Sequence, residues 1–195
     1  MNHYFKNDFI KSEIKKIQIF INEKQYDFFS DNNIFSKNKL DFGTKLLLES
    51  LSNINGDVLD VGCGYGAIGI FIALNFKTEV DMIDINKRAI HICKKNIEEY
   101  SLKNANVFYS DVYENISKKY DFIITNPPIR AGKKVVYQIL FNSFNYLKEN
   151  GKLIFVVRKE QGAKSIIKDL EKEFQVSIIN KKSNYFIISV EKALK

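Results

Sequence analysis

With 195 residues, 45% of them hydrophobic, the chain has material for one ordinary domain with a sizeable core, and no apolar run approaches the roughly 20 residues of a membrane span. Two cysteines, Cys63 and Cys93, give neither a disulfide framework nor a metal spacing, which excludes disulfide-stapled secreted folds and leaves thiols in a reducing cytoplasm. A formal charge of +7 suits a polyanion such as RNA, against the plainer reading of lysine spread evenly over the surface of a Lys-, Ile- and Asn-rich chain.

Residues 1–12 are polar and aromatic, read as an arm without a signal-peptide core. Ile14 to Ile21, a turn at Asn22-Glu23-Lys24, and Gln25 to Phe29 predict a β-hairpin. A helix carrying Leu46, Leu47, Leu48 and Leu51 follows, capped by Asp41 or Thr44. The segment Asp57 to Leu74 reads as strand, glycine turn and helix. Thr78 to Ile83 is a strand closed by Asp84. Asn86 caps a helix with Ala89, Ile90, Cys93, Ile97 and Tyr100 on one face; His91 on it has no catalytic partner nearby. Ala105 to Tyr109 and Tyr120 to Thr125 are strands followed by Asp111 and by Asn126-Pro127-Pro128. Val136, Ile139, Leu140, Phe144 and Leu147 form a helix stripe, Leu153 to Val157 a strand, and Ala163, Ile166, Ile167, Leu170 and Phe174 a last helix. Val176 to Ile179 and Tyr185 to Val190 close the chain as a hairpin around a loop at 180–184. The alternation predicts an α/β, doubly wound, Rossmann-like sheet of seven mostly parallel strands, with the N-terminal hairpin as an extension.

In the glycine turn, Gly62, Gly64 and Ala67 fit G-x-G-x-x-G/A, with Asp84 twenty residues after Gly64, as in dinucleotide sites. Asp60 tips the balance. A carboxylate two residues before the first glycine suits a ligand ammonium and repels a pyrophosphate, and S-adenosyl-L-methionine has an ammonium and no phosphate. The segment resembles the first motif of class I methyltransferases. Asp60, Asp84 and Asp111 then end three neighbouring strands and would meet the amino-acid end, the ribose and the base of such a ligand, with Val112 offering a backbone N–H. Asp after a strand also commonly caps the next helix, which is the competing reading for any one of them.

Two prolines stop a buried strand abruptly, so Asn126-Pro127-Pro128 reads either as a plain terminator or as a site. As a site, the Asn126 side-chain oxygen and the Pro127 carbonyl accept both N–H bonds of an exocyclic amine. They aim its lone pair at a methyl group and stabilise the charge growing on nitrogen. Arg130, Lys133 and Lys134, with Arg158 and Lys159 on the neighbouring strand, can hold phosphates around an extruded base or be ordinary solvated charge.

Taken together, these residues resemble the small RsmC-like RNA guanine-N2 methyltransferases that act on 16S ribosomal RNA. The likeness runs through His3-Tyr4-Phe5, Phe35-Ser36 to Gly43-Thr44, the glycine turn, Asn126 to Lys133 and Arg158 to Ala163. It implies one methyltransferase domain over 1–195, with an arm, hairpin and cofactor-covering loop in 1–43 and a catalytic core in 44–195. It implies S-adenosyl-L-methionine at Asp60, Gly62, Cys63, Gly64, Asp84, Ile85, Asp111, Val112 and Asn126, beneath Phe42 and Gly43. A guanine 2-amino group would be held by Asn126 and Pro127, and the RNA by Pro128, Ile129, Arg130 and Lys133. The expected partner is ribosomal RNA or the small subunit, the expected site of action the cytoplasm, and the expected state a monomer or homodimer. One departure stands out: Ile129 follows the prolines where many amino methyltransferases put a base-stacking aromatic, so Phe35, Phe42 or Tyr4 would supply the ring. The rival readings are adenine N6 or protein glutamine methylation, and a non-catalytic RNA-binding module.

Overall fold

In the computed structural model, which describes residues 13–31 and 40–192, the N-terminal hairpin is formed as expected. β1 (Ile14–Ile21) pairs antiparallel with β2 (Lys24–Asp31), and Asn22 and Glu23 turn the chain at φ 48° and 64°. Period-2 alternation turns Tyr26 and Phe28 inward. Phe28 meets Tyr65 and Tyr100 at centroid distances of 5.6 and 5.8 Å. The expected arm and the stretch holding Phe35 and Ser36 lie outside the described residues.

Asp41 caps α1 (Phe42–Ser50), its Oδ1 accepting the Thr44 N–H at 3.1 Å. The helix therefore starts at Phe42, and the expected boundary between a loop ending at 43 and a core starting at 44 cuts through its first turn. Leu46, Leu47 and Leu48 are buried, while Leu51 is the C-cap. β3 (Asn55–Val61) enters the glycine turn, whose last residue, Gly66, opens α2 (Ala67–Asn75) at φ 95°. Any Cβ there would lie 2.6 Å from the Cys93 sulfur, so only glycine fits. Helix α2 is buried through Ala73 because the sheet and the hairpin cover it from two sides.

β4 (Lys77–Asp84), α3 (Lys87–Glu99), β5 (Ala105–Tyr109), β6 (Tyr120–Thr125), α4 (Lys133–Asn142), β7 (Leu147–Arg158), α5 (Ala163–Leu170), β8 (Phe174–Lys182) and β9 (Tyr185–Lys192) complete the chain. The main sheet runs β5-β4-β3-β6-β7-β9-β8, with β9 antiparallel to both neighbours. Side chains such as Val58, Leu59, Ile123, Ile124, Leu153 and Phe155 are fully covered, as in a parallel sheet with helices on both faces. Among the described residues, no helix is long and apolar enough to cross a membrane.

Three element limits differ from expectation. Leu147 does not close the α4 stripe: it opens β7, opposite Tyr120. Phe174 does not end α5 but opens β8, where its ring stacks on Phe144. Asn180, Lys181 and Lys182 belong to β8, and the turn shrinks to Ser183-Asn184 at φ 48° and 66°. A strand exposed along one edge can carry polar residues, so composition there imitates a loop.

Candidate active site

The order β5-β4-β3-β6 places four carboxyl ends side by side, bringing Asp111, Asp84, Asp60 with the glycine turn, and Asn126 into one row. Crevices outside the carboxyl ends of such sheets, at the point where strand order reverses, are where α/β folds hold ligands.

Asp60 is fully buried. Its Oδ2 accepts the Gly69 N–H at 3.0 Å, while Oδ1 has no hydrogen-bond partner among the described residues. Burial pushes its carboxyl up to about 7; nearby Asp84 pushes the same way and the Gly69 N–H opposes them. An orphaned buried carboxylate oxygen is costly, and an incoming cationic donor would relieve it. Next to it, the Gly62 and Cys63 N–H groups both donate to the Ile83 carbonyl, at 2.9 and 3.0 Å. Gly62 sits at φ 73°, and a Cβ built on it would meet nothing within 4 Å, so a ligand can approach the backbone there. The Cys63 thiol is pushed up by the Cys93 thiol beside it and by burial, so it lines the turn as a neutral group.

Asp84 is half-buried. Its Oδ2 accepts the Gly64 N–H at 2.9 Å and its Oδ1 the Asn86 N–H at 2.8 Å. Burial raises its carboxyl, against the N–H groups of Asn86, Gly64 and Ile85. Asp84 thus ties the end of β4 to the glycine turn and leads into α3, whose N-cap is Asn86. A carboxylate has about four lone-pair sites, so it can still take a diol. Asp111 is exposed beyond β5. Its neighbour Val112 stands at φ 49°, uncommon for a β-branched residue, and the Ser110 hydroxyl clamps it by donating to its carbonyl at 3.0 Å. Such outliers tend to mark sites rather than spare backbone.

Thr125 donates to the Val61 carbonyl at 2.7 Å, pinning the end of β6 to β3. One residue on, the Asn126 amide nitrogen donates to Thr44 Oγ1 at 2.8 Å and approaches both Asp41 carboxylate oxygens at 3.4 Å. Thr44 in turn donates its hydroxyl hydrogen to Asp41 Oδ2, so towards Asn126 it can only accept. This chain of bonds sets which end of the amide is which: the NH2 is held by Thr44 and the N-cap Asp41, and Oδ1 remains as the acceptor, one residue before Pro127. Pro127 is buried, Pro128 and Ile129 are half-buried, and Arg130 and Lys133 are exposed. Lys133 lies 4.7 Å from the Tyr137 ring, and Arg158 is engaged by Glu160 at 2.9 Å. Phe42 and Gly43 form the first turn of α1, with Phe42 exposed and Gly43 buried.

Sequence patterns missed two features. The role of Asp41 and Thr44 in holding Asn126 is one: their spacing announces a helix cap, but nothing local announces a contact 82 residues away. The other is Tyr65, inside the glycine turn, whose hydroxyl is buried without a partner among the described residues and lies within electrostatic reach of Asp41. The arrangement can take an ammonium at Asp60, hydroxyls at Asp84, and the two hydrogens of an amine at Asn126 and Pro127.

A family model described as the methyltransferase small domain matches residues 25–189. Uncharacterized protein YbxB of Bacillus subtilis is 41% identical, with 98% of each chain covered. A ribosomal RNA small subunit methyltransferase C of Aliivibrio salmonicida is 36% identical over 73% of this chain and 43% of its own length. The structure of T. thermophilus 16S rRNA N2 methyltransferase RsmC in complex with AdoMet and guanosine superposes with a TM-score of 0.82 at 26% identity, covering 93% of this chain and 51% of that one. The chain therefore spans about half the length of these ribosomal RNA methyltransferases. A methyltransferase from Pyrococcus furiosus, 19% identical with a TM-score of 0.67, shares the fold.

Proposed function

The chain belongs to the methyltransferase small domain family, and from that premise we propose that it methylates the exocyclic 2-amino group of a guanine in ribosomal RNA, using S-adenosyl-L-methionine. The observation that carries this reading is the Asn126 amide. Its nitrogen is held by Thr44 and Asp41, so its oxygen is the group offered next to Pro127, one strand from Asp60. The relatives that match over this fold and bear substrate names support the guanine and the ribosomal RNA.

The residues present fit the cofactor. Asp60 Oδ1 lacks a donor, which the ligand ammonium would supply. Gly62 offers backbone free of side-chain obstruction, with Cys63 and Gly64 following it in the turn, Asp84 with Ile85 suits a ribose diol, and Asp111 with Val112 suits the base. When bound, S-adenosyl-L-methionine supplies a methyl group on a positively charged sulfur. All else falls to the protein.

A guanine 2-amino group is a poor nucleophile because its lone pair is delocalised into the ring. Asn126 Oδ1 and the Pro127 carbonyl accept its two N–H bonds. That turns the lone pair out of the ring plane and stabilises the positive charge nitrogen gains as the new bond forms. The Asp41 carboxylate behind the amide strengthens this, since an amide whose N–H groups are held by an anion is a better acceptor at oxygen. The surplus proton leaves to water after transfer, so no strong base is required. Pro128 and Ile129 wall the base, while Arg130 and Lys133 take flanking phosphates.

Asn126→Ala tests the reading. Calorimetry should show cofactor affinity lowered at most severalfold, since Asp60, Asp84 and Asp111 remain, and turnover on RNA should fall by about 10²- to 10³-fold, the usual cost of removing a group aimed at developing charge. A fully active variant would remove Asn126 from the mechanism.

A further inference from the structure

Ile129 stands where an aromatic ring would ordinarily face the target base, yet a ring is available from another element. Phe42, the first residue of α1, is 41% exposed. Of the described exposed large hydrophobic side chains, it is the one next in sequence to Asp41, the residue that holds Asn126. Its ring is also fixed in place. The Tyr185 ring lies 5.3 Å away at 51°, and a Cβ on Gly43 would come within 2.8 Å of Tyr185 Cε1, so that ring is pressed against the backbone of the helix's first turn. On Tyr185 sits the Arg158 guanidinium, 5.6 Å from the ring centre.

The sheet register brings this stack to the site. Thr125, the residue before Asn126, pairs with Phe155 on β7, and three residues further along β7 Arg158 pairs with Tyr185 on β9. The row of strand ends therefore continues past Asn126 into an aromatic and cationic wall.

We propose that Phe42, backed by Tyr185 and Arg158, is the face on which an unpaired nucleobase of the RNA substrate stacks, replacing the ring that Ile129 does not supply. The inference rests on the methyltransferase reading and adds a substrate contact to it. It assigns Phe42 to the RNA rather than to a cover over the cofactor. A nucleobase fits because it has a flat π-face for the ring and is followed by a phosphate for the exposed cations Arg158, Lys159 and Arg130.

The chain contains no tryptophan, so Phe42→Trp places a single reporter at this position. Its fluorescence should be quenched by a single-stranded, guanine-containing RNA oligonucleotide and be little changed by S-adenosyl-L-methionine alone. Phe42→Ala should weaken binding of the same oligonucleotide about 5- to 100-fold, the usual range for a lost base–aromatic stack. Cofactor affinity should stay as in the parent, and Phe42→Tyr should restore RNA affinity. Quenching by the cofactor alone, no quenching by RNA, or unchanged RNA affinity in Phe42→Ala would each overturn the proposal. Absence of methyl transfer to any RNA, with the quenching present, would count against the function and leave the stacking contact standing.

Discussion

Asp60 shows how one side chain couples folding, ligand binding and pH. Burial first, and Asp84 second, push its carboxyl up to about 7, whereas in an unfolded chain an Asp titrates near 3.9. Between about pH 4 and 7 the folded protein keeps a proton that the unfolded chain has lost. Stability of the cofactor-free protein therefore declines as pH rises through that window. A bound ammonium has the opposite effect because it favours the ionised carboxylate. Cofactor affinity should rise severalfold from pH 6 to about 7.5 and level off as the ligand's own amine, near 7.7–8.0, loses its proton. Calorimetry at the two pH values checks this, with Asp60→Asn expected to flatten the rise; an equal slope in that variant would assign the titration to another group.

In the proposed reaction Thr44 would act only through Asn126, whose amide it holds. Thr44→Val keeps the shape of the side chain but removes the acceptor that fixes the amide, so the amide can rotate and present NH2 to the substrate. The expected result is a kcat about 10- to 100-fold lower, as for other small misplacements of a reacting group. Cofactor affinity should not change, and Thr44→Ser should recover activity. Equal activity in the Val and Ser variants would reduce Thr44 to a helix-cap residue. At this scale Asp60, Asp84 and Asn126 were legible because glycine spacing and a proline pair are local signals. The Asp41–Thr44–Asn126 chain was not, because it is made by tertiary contact alone.

Among the elements, the N-terminal hairpin is held by side chains standing in for a neighbouring strand. The Asn96 amide on α3 accepts from the Phe29 N–H at 2.7 Å and donates to the Phe29 carbonyl at 2.9 Å. The Tyr100 hydroxyl serves the Asp27 N–H and carbonyl in the same way, at 2.8 and 2.9 Å. Asn96 also donates to the Tyr65 carbonyl at 2.8 Å, which links the hairpin to the glycine turn. Asn96→Ala strands three backbone groups, the part-buried Phe29 N–H and carbonyl and the buried Tyr65 carbonyl, at about 1–3 kcal/mol each. Thermal unfolding should show a loss of at least about 3 kcal/mol, and cofactor binding should weaken with it; a loss below about 1 kcal/mol would mean water replaces the amide. Helix periodicity on α3 exposed the apolar stripe but not Asn96, since a buried amide carries no period. The same blindness misplaced Leu147 and Phe174. Each continues the 3.6-residue stripe of the helix before it, but each is the first residue of the following strand, Leu147 buried there and Phe174 half-buried.

Across the whole molecule, the two rims of the sheet treat their carboxylates differently. Around the amino-terminal ends, Lys118 bridges Asp57 and Asp81 at 3.3 and 2.9 Å, and Lys148 bridges Asp57 and Asp121 at 2.8 Å each. The Lys148 hydrogen bond in particular holds Asp57 below the usual carboxylate range. Around the carboxyl-terminal ends, Asp60 and Asp84 accept from backbone N–H groups and are raised instead. One rim is closed by its own lysines, and the other is left for a ligand. That the three acid-ended strands lie side by side was legible from the alternation of apolar runs and terminal acids, because a parallel α/β chain has few ways to wind. The link from that order to a particular base rests on Asn126 and Pro127.

That link is tested most directly by incubating the protein with methyl-labelled S-adenosyl-L-methionine and ribosomal RNA or small subunits from a strain lacking it, then digesting the RNA to nucleosides. The label should appear in guanosine methylated at the 2-amino group and be absent with Asn126→Ala. Label on adenosine, on protein, or on any other atom of guanosine would contradict the assignment.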